Sequence, residues 1–431
     1  MLYFRVILVA VCALLMSCFG QKVFAGDNGV FKLELPDAAA VGMGGAFVGE
    51  SDRPSAVYYN PAGITQMDTP EVSAGLTWAQ PQAKFESASA NNGETSKMRE
   101  ENYLFPNVFI TTPIIKDKFY LGIGESSDFG GGNSWEANGF SEYSTVKDSL
   151  TNQDYRIVGA YKVNNQWSFA AGAVSDQSAF EHSEAINQTG APTGNGNGLF
   201  KANDDAWGYN LAAMFKLNDQ NQFGLDYKSS IHHTYDGSIL FSNLFTGAGL
   251  GGLIGSSSYS TRAIQKLTLP QSVTLGYSLK PISKLTLNFD LEWTDWSQYK
   301  AQITTYPNAS PAIQGALASS SYAARDWTAV WSESVGAEYA ATDKLKLRLG
   351  YEHHQTPVPE ANYDTEFPDS DSNAVTVGFG YDLTSKLTLD VAYVADFYST
   401  RNVVNSLDSG GLSGKYSEFV NIATASLTYK F

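Results

Sequence analysis

The sequence predicts an all-β fold, a 14-stranded antiparallel transmembrane β-barrel with a small N-terminal hatch that plugs the lumen. Three observations predict it. The chain begins with an export signal, short polar turns alternate with long loops, and apolar and polar residues alternate within the segments between them. The expected division is a signal peptide at 1–25, a hatch at 26–67 and the barrel at 68–431.

The first 25 residues have the three parts of a secretory signal. Arg5 is the charged start, 6–16 is an uninterrupted apolar run, and 23–25 is a small-residue cleavage site. The run is too short for a helix that spans a bilayer, which needs about 20 residues. Both cysteines, Cys12 and Cys18, lie in this segment, so we expect a mature chain without thiol or disulfide chemistry.

The composition of the expected mature chain is acidic and rich in aromatic residues. Cleavage removes Arg5 and Lys22 from the 28 basic residues, which leaves 26 against 44 acidic ones and a net charge of −18. Such a charge argues against nucleic acid and anionic lipid surfaces as partners. Aromatic residues make up 13% of the chain, and rings with one polar end suit the two interfaces of a membrane.

The spacing of turns and loops predicts the number of strands. Six short polar turns recur, at 116–117, 164–165, 218–221, 281–283, 342–343 and 384–385. Seven long segments rich in Gly, Ser, Asn and Asp separate the hairpins, at 87–101, 129–151, 177–202, 241–262, 300–327, 355–371 and 399–417. Six turns and seven loops connect 14 strands, and this asymmetry is typical of outer-membrane barrels, with short periplasmic turns and long external loops.

The alternating residues predict which face of each strand meets lipid. In 284–293, one face carries Leu285, Leu287, Phe289, Leu291 and Trp293, and the other carries Thr286, Asn288, Asp290 and Glu292. The final strand, 422–431, and the segments 344–351 and 386–397 alternate in the same way. Charged side chains are costly in lipid, so we expect the polar rows to face the lumen. A soluble sheet with one solvated face is the alternative.

Residues 26–67 do not alternate and are expected to plug the barrel. Gly and Ala dominate 38–49, and 56–64 is similarly small and apolar. Small residues permit close packing of the backbone against a wall. A periplasmic linker is the alternative, but Phe47, Tyr58 and Tyr59 are unusual in a linker.

Two motifs resemble the FadL/TodX-type family of outer-membrane long-chain fatty-acid and hydrocarbon transporters. Asn60-Pro61-Ala62 resembles the Asn-Pro-Ala element of that family's N-terminal hatch, and it precedes the 14 expected strands. Thr356-Pro357-Val358-Pro359 resembles the family's Pro-Val-Pro loop between strands 11 and 12. The resemblance covers the whole expected mature chain.

The resemblance implies passive transport of hydrophobic compounds. Outer loops capture the substrate, a lumen pocket above the hatch binds it, and it leaves sideways at an inward kink of strand 3. Here strand 3 is about 118–127, and the residues that we assign to the kink are Gly122, Gly124, Phe129 and Gly130. Relief of crowding in the wall is the alternative role for these glycines.

The loop 241–262 is the candidate for capture of substrate on its own physical chemistry. Its apolar residues are Phe241, Leu244, Phe245, Leu250, Leu253 and Ile254. Exposed apolar surface on an external loop usually marks a binding site. The alternative is that these side chains pack inward and close the mouth of the barrel.

A fatty acid needs basic groups to offset the desolvation of its carboxylate. Arg156, Lys228 and Arg348 face the lumen by the parity of their strands and are the candidate partners. The family's basic residues on strand 5 have no counterpart here, and 353–355 replaces residues that are often acidic in the family. These departures leave aromatic or alkane hydrocarbons open as the alternative substrate to a long-chain fatty acid.

No residue pattern indicates catalysis, a metal or a cofactor. A nucleophile elbow is missing, and the pairs 232–233 and 353–354 point to opposite faces of a strand and do not chelate readily. We therefore expect a monomeric barrel in the outer membrane of a Gram-negative bacterium, with lipid, a hydrophobic small molecule and, through Phe431, the barrel-assembly machinery as partners. A general diffusion porin and an adhesin barrel are the rival functions.

Overall fold

The computed structural model describes residues 32–33, 36–87, 95–188, 190–404 and 412–431. The expected signal peptide and the first residues of the expected hatch lie outside these ranges. Within them, no helix has the length and apolar character needed to cross a membrane.

Fourteen antiparallel strands form a closed wall, as the sequence predicts. They are β1 (Glu71–Ser87), β2 (Tyr103–Ile115), β3 (Phe119–Ser126), β4 (Lys147–Lys162), β5 (Trp167–Ile186), β6 (Gly196–Lys216), β7 (Asn221–Lys228 and Ile231–Ser242), β8 (Tyr259–Leu269 and Ser272–Ile282), β9 (Leu285–Thr294), β10 (Val330–Ala340), β11 (Leu345–His354), β12 (Ser372–Asp382), β13 (Leu387–Tyr398) and β14 (Gly414–Lys430). Pairing of β14 with β1, from Glu71 opposite Lys430 to Ser87 opposite Gly414, closes the barrel and leaves no free edge.

Two wall strands, β7 and β8, each consist of two segments because their hydrogen-bond ladders are interrupted. In β8 the interruption is at 270–271, where Pro270 has no N–H to donate. In β7 it is at 229–230, and there the Ser229 hydroxyl accepts the Tyr209 N–H of β6 at 2.9 Å. Neighbouring strands bridge both breaks, so each pair of segments is one strand of the wall.

The faces of the strands follow the predicted parity. On β9, Phe289 and Leu291 are exposed on the outside, whereas Asn288, Asp290 and Glu292 are buried in the lumen. On β11 the exposed Leu347, Leu349 and Tyr351 alternate with buried Arg348. The outer face is therefore apolar and the inner face carries the charges.

One predicted loop is much shorter than expected. The segment 177–202 was expected to be irregular, but β5 and β6 pair up to Ile186 opposite Gly196, which leaves only 187–195 as the loop. Towards its loop end this hairpin carries charged residues on both strands. The apolar signal on which the strand prediction depends is therefore weak there.

In the part of the chain that the structure describes, four short helices and several short strands belong to the segments outside the wall. The helices are α1 (Ala38–Val41), α2 (Ala56–Tyr59), α3 (Gly249–Ile254) and α4 (Pro311–Ala316), with 3-10 turns at Pro61–Gln66, Trp296–Gln298, Ser319–Ser321 and Glu360–Asn362. The short strands are Thr95–Lys97, Gly131–Ser134, Ala301–Thr305, Tyr322–Ala324 and Arg401–Val403. The packed core lies inside the barrel, where buried side chains of the wall meet the N-terminal segment and the loops.

Candidate functional site

The N-terminal segment, residues 36–67, lies in the lumen against the inner face of the wall. The Asp290 carboxylate of β9 accepts the N–H groups of Phe47 and Val48, both at 2.8 Å. A Cβ on Gly224 of β7 would stand 2.0 Å from the Val48 carbonyl oxygen, so the close approach needs glycine there. The action of this segment as a hatch stays a prediction.

Asn60 organises the Asn60-Pro61-Ala62 turn. Its side-chain oxygen accepts the Ala62 N–H at 3.1 Å and so caps the 3-10 turn Pro61–Gln66. Its amide nitrogen donates to the Val48 carbonyl at 3.0 Å and to the Ala213 carbonyl of β6 at 3.2 Å. One buried side chain therefore links two parts of the segment to the wall.

Arg348 lies in an ionic network that holds the N-terminal segment. It pairs with Glu338 of β10 at 2.8 Å and with Asp390 of β13 at 2.7 Å, and Asp390 also pairs with Arg53 of the segment. Both acids neutralise Arg348, and it does not line the cavity described below. Of Arg156, Lys228 and Arg348, the three candidate partners for a carboxylate, Arg348 is therefore the one that does not border the cavity.

Glu50 of the N-terminal segment is an acid with an unusual environment. Burial, together with the nearby Asp52 and Glu338 carboxylates, raises its pKa to about 7. The Asn288 amide, which donates to Glu50 at 2.7 Å, opposes the shift. Glu50 is therefore held partly protonated against the wall near neutral pH.

A partly open pocket, whose empty space of about 490 Å³ includes open solvent, lies beside the N-terminal segment and is called the cavity below. The residues around it come from β4 to β8, from the stretch that follows β3, from Tyr58 of the N-terminal segment and from Lys32 before it, and they are Lys32, Tyr58, Asp128, Phe129, Arg156, Val174, Gly208, Tyr209, Asn210, Lys228, Ser229, Ile231, Pro270 and Ser272. The lining joins an apolar side with three basic groups. It therefore offers apolar contacts beside basic groups and the carboxylate of Asp128.

Lys228 is the basic group of the cavity with the least local compensation. Its ammonium lies 3.6 Å from the centroid of the Tyr58 ring, and no carboxylate of the described residues lies within 4 Å of it. Arg156, in contrast, pairs with Asp128 and donates to the Ser126 hydroxyl at 2.6 Å, and Lys32 pairs with Glu292. Lys228 is therefore the group best able to receive an external carboxylate.

The regular pairing of β3 ends beside this cavity. Ser126 faces Asp154 of β4, and the next paired residue on the strand 3 side is Gly131, opposite Leu150. Four residues, 127–130, thus stand against three, 151–153, which is a one-residue bulge. At the bulge, side chains of β4 accept hydrogen bonds from backbone N–H groups that have left the ladder. Asp154 accepts the Asp128 N–H at 3.0 Å, and Asn152 accepts the Phe129 N–H at 3.4 Å.

The bulge turns inward and leaves a gap beside β2. The Asp128 carbonyl accepts the Leu33 N–H at 2.7 Å, and Phe129 forms a bridge with Lys32, so 127–130 contacts the two described residues that precede the N-terminal segment. The ladder between β2 and β3 stops at Val108 opposite Glu125. Within the described chain, 103–107 of β2 has β1 as a ladder partner and none on the strand 3 side.

Gly122 and Gly124 do not mark the kink, and their assignment to it is wrong. Both lie in unbroken pairing with β2 and with β4. A Cβ on Gly122 would come within 2.5 Å of a Val57 methyl group, and one on Gly124 within 3.0 Å of the other. The two glycines make room for the N-terminal segment, whereas Phe129 and Gly130 lie in the bulge itself.

A buried aromatic cluster connects the cavity with the loop end of the barrel. Phe129 meets Trp296 edge to face with centroids 6.1 Å apart, Trp296 meets Trp327 at 5.2 Å, and Trp327 meets Phe367 at 5.5 Å. Val174 and Ile231, which line the cavity, belong to the same cluster as Leu244 of the outer loop. Apolar side chains are therefore continuous from the loops to the bulge.

The outer loop 241–262 is only partly exposed. Phe241 and Leu244 are 3% and 2% exposed and pack into the aromatic cluster, so the prediction that they are exposed is wrong for these two. Their burial in the barrel mouth is energetically favourable for apolar groups. Leu250 and Ile254 pack partly against the same cluster, Phe245 is partly buried, and Leu253 is 49% exposed.

Sequence reasoning missed Lys32, Tyr58 and Asp128 as parts of the site. Lys32 and Tyr58 lie in the non-alternating segment, where no parity indicates direction. Asp128 follows a strand whose bulge reverses the expected alternation. The run of glycines at 130–132 is the signal that could have indicated an irregular strand there.

Comparison with protein families gives one match over nearly the whole chain. Residues 28–431 match the model of outer membrane protein transport proteins (OMPP1/FadL/TodX). A long-chain fatty acid transport protein of Escherichia coli O6:H1 is 24% identical over 387 residues, which cover 83% of this chain and 85% of that protein. Outer membrane protein P1 of Haemophilus influenzae is 22% identical over 418 residues, which cover 86% of each.

Solved structures show the same fold. A Pseudomonas aeruginosa FadL homologue superposes with a TM-score of 0.80 at 20% identity, over 94% of this chain and all of the other. The Pseudomonas putida toluene transporter TodX superposes with a TM-score of 0.70 at 17% identity, over 94% of this chain and all of the other. At such identities the likeness shows the fold alone.

Proposed function

The chain belongs to the OMPP1/FadL/TodX family of outer membrane transport proteins, and from this premise we propose that it admits long-chain fatty acids. The coarser statement needs no proposal: the protein is a β-barrel of the Gram-negative outer membrane that transports hydrophobic compounds and is not an enzyme. The observation that supports the finer one is Lys228, which lines the cavity and has no carboxylate of the described residues within 4 Å of its ammonium.

The proposed route begins at the loop end. Leu253 and its neighbours on α3 bind the hydrocarbon chain, which then moves along the aromatic cluster into the cavity. There the carboxylate replaces hydration by contact with Lys228, while Val174 and Ile231 contact the methylene groups. Such a path works by partition, since an apolar solute gains free energy at each transfer out of water.

The proposed exit is the gap between β2 and the bulge of strand 3. Phe129 lines both the cavity and the bulge, and Tyr103 of β2 donates its hydroxyl to the Gly132 carbonyl across the gap at 3.1 Å. A side-chain contact in place of a backbone ladder breaks more easily than a paired wall. The N-terminal segment fills the lumen below the cavity and so acts as the hatch that directs the substrate sideways.

Uptake of labelled oleate by a host that lacks its own fatty-acid channel tests the proposal. The protein is expressed in the outer membrane of that host, and its assembly is checked by heat-modifiable migration on gels. We expect protein-dependent uptake. An assembled barrel without oleate uptake contradicts the proposal.

Labelled toluene tests the alternative substrate in the same host. The aromatic lining of the path and the toluene transporter among the structural relatives favour an aromatic hydrocarbon as the second candidate. Uptake of toluene without uptake of oleate would assign the channel to neutral hydrocarbons, and Lys228 would then have no substrate role.

A further inference from the structure

Three side chains that the transport route does not use meet at the loop end of the barrel. Asp148 lies at the start of β4, His182 near the end of β5, and Glu366 in the loop 355–371. One donor atom from each lies within 4.8 Å of the other two. His182 Nδ1 is 3.8 Å from an oxygen of Asp148 and 3.8 Å from an oxygen of Glu366.

Asp148 is the member of this group whose buried carboxylate forms no hydrogen bond within the described chain. Its side chain is 1% exposed, and neither carboxylate oxygen has a hydrogen-bond partner among the described residues. Nδ1 of His182 also has no hydrogen bond within the described chain. Burial of an ionised carboxylate without partners is strongly unfavourable, and buried charges are therefore paired or bound to metals.

With His182 neutral and the carboxyl groups ionised, the acids around this group outnumber the bases. Asp148, Asp364 and Glu366 are buried together, and Arg325 pairs with the last two. Three carboxylates against one guanidinium leave two negative charges. A proton on His182 would compensate one of them, whereas a divalent cation bound to neutral His182 compensates both.

We propose that Asp148, His182 and Glu366 bind one divalent transition-metal cation. Two carboxylates and one imidazole are a donor set that suits Zn²⁺, with water in the fourth position. Donors around a tetrahedral ion at bonds of about 2.0–2.2 Å lie roughly 3.3–3.6 Å apart. The two distances from His182, each 3.8 Å, therefore need to shorten by about 0.2–0.5 Å, and the distance between the two carboxylates, within 4.8 Å, by up to about 1.5 Å.

The cation would fasten the loop 355–371 to the wall. Asn133 already donates to the Glu366 carbonyl at 2.9 Å and Trp135 to the Thr365 carbonyl at 3.3 Å, so the loop backbone is anchored beside the group. Phe367, the next residue, belongs to the aromatic cluster that covers the path. Binding of the cation thus stabilises the loop that caps the lumen, a role separate from the recognition of substrate.

Binding of Co²⁺ and Zn²⁺ to the purified full-length protein in detergent tests the proposal. Co²⁺ reports tetrahedral nitrogen and oxygen ligands through its visible absorption, and Zn²⁺ competes for the same site. We expect one equivalent of Co²⁺ per chain, and affinities at least tenfold weaker in Asp148→Asn and in His182→Gln. His232→Gln is the matched control, because His232 is exposed on β7 and outside the group.

Protease protection of the loop gives a second readout that does not depend on a variant folding. We expect Zn²⁺ to slow cleavage within 355–371 in the unaltered protein, and a chelator to reverse the effect. Absence of binding at micromolar Co²⁺ and Zn²⁺ with an unchanged cleavage rate overturns the proposal and assigns the charge to a protonated His182. Equal binding by both variants and the unaltered protein also overturns it.

Discussion

Lys228 is the residue that we expect to let the cavity distinguish an acid from a neutral hydrocarbon. A charge-assisted contact contributes about 1.5–3 kcal/mol. We expect Lys228→Gln to lower the affinity for oleate tenfold or more, as read from the concentration dependence of uptake. Toluene carries no charge that Lys228 could contact, so its uptake should be unchanged.

Lys266→Gln is the control for that substitution, because Lys266 is an exposed lysine on the outer face of β8. Oleate uptake should be the same in this variant and in the unaltered protein. If the two variants behave alike, Lys228 does not contact the carboxylate.

Glu50 predicts a pH dependence of stability. Its pKa is raised to about 7 in the folded protein from 4.5, so the folded state holds a proton that the unfolded state loses. The contribution to stability is therefore complete below about pH 4.5 and is lost as the pH rises to about 7, by at most about 3 kcal/mol. We expect the thermal midpoint in detergent to fall from pH 4.5 to pH 7.5, and to fall less in Glu50→Gln.

The bulge of strand 3 is the feature on which transport depends at the scale of the element. Deletion of Gly130 leaves three residues, 127–129, opposite 151–153, so the ladder can continue without a bulge. We expect the deletion to reduce oleate uptake at least tenfold while the barrel still assembles. Uptake in whole cells and heat-modifiable migration on gels measure the two effects.

Deletion of Gly190 is the matched control for loss of one residue. Gly190 has no atoms within 4 Å of its Cβ position, and it lies in the loop 187–195, outside the ladders of the wall. Its uptake should equal that of the unaltered protein. Normal uptake in the Gly130 deletion would place the exit elsewhere.

Asn60 holds the turn between α2 and the 3-10 helix Pro61–Gln66. Asn60→Ala removes three buried hydrogen bonds and leaves the Val48 and Ala213 carbonyls without that donor, at about 1–3 kcal/mol in all. We expect a loosened N-terminal segment and a larger ion current across planar bilayers than the unaltered protein gives. Asn164→Ala in the exposed turn between β4 and β5 should give the same current as the unaltered protein.

Closure of the wall and assembly in the membrane are properties of the whole molecule. The Phe431 N–H donates to the Pro70 carbonyl at 3.0 Å, so the chain end completes the seam of β1 and β14 through the backbone. Because Phe431→Ala keeps that hydrogen bond, we expect the assembled barrel to remain stable. Its density at the surface should fall severalfold if the assembly machinery reads the terminal aromatic ring.

Tyr381→Ala is the control for the assembly experiment, since Tyr381 is an outward aromatic residue away from the seam. Surface labelling should give normal density for this variant. Equal losses in the two variants would indicate a general need for interfacial aromatic rings and not recognition of Phe431.

The rival functions also differ at the scale of the whole molecule. A general diffusion porin conducts ions, whereas this lumen is filled by the N-terminal segment and by the aromatic cluster in the part of the chain that the structure describes. An adhesin requires a surface partner and no path through the wall. Family membership supports transport over both.

The wall, the turns and the family could be determined from the sequence alone. The period-two alternation, the short turns and the Asn60-Pro61-Ala62 motif are local signals, because the membrane imposes the same constraint on each strand separately. Parity also predicted correctly that Arg156 and Arg348 face inward. It could not predict that Asp128 pairs with Arg156 and Asp390 with Arg348, since parity gives the face of a side chain and not its partner.

The tertiary structure alone decided what meets inside the barrel. The N-terminal segment and the loops have no period, so nothing in the sequence predicts that Lys32 lies beside Phe129 or that Phe241 and Leu244 turn inward. Asp148, His182 and Glu366 come from three segments up to 218 residues apart and meet only when the wall closes. Sites in a barrel lumen are built from long-range contacts, and local patterning carries no information about them.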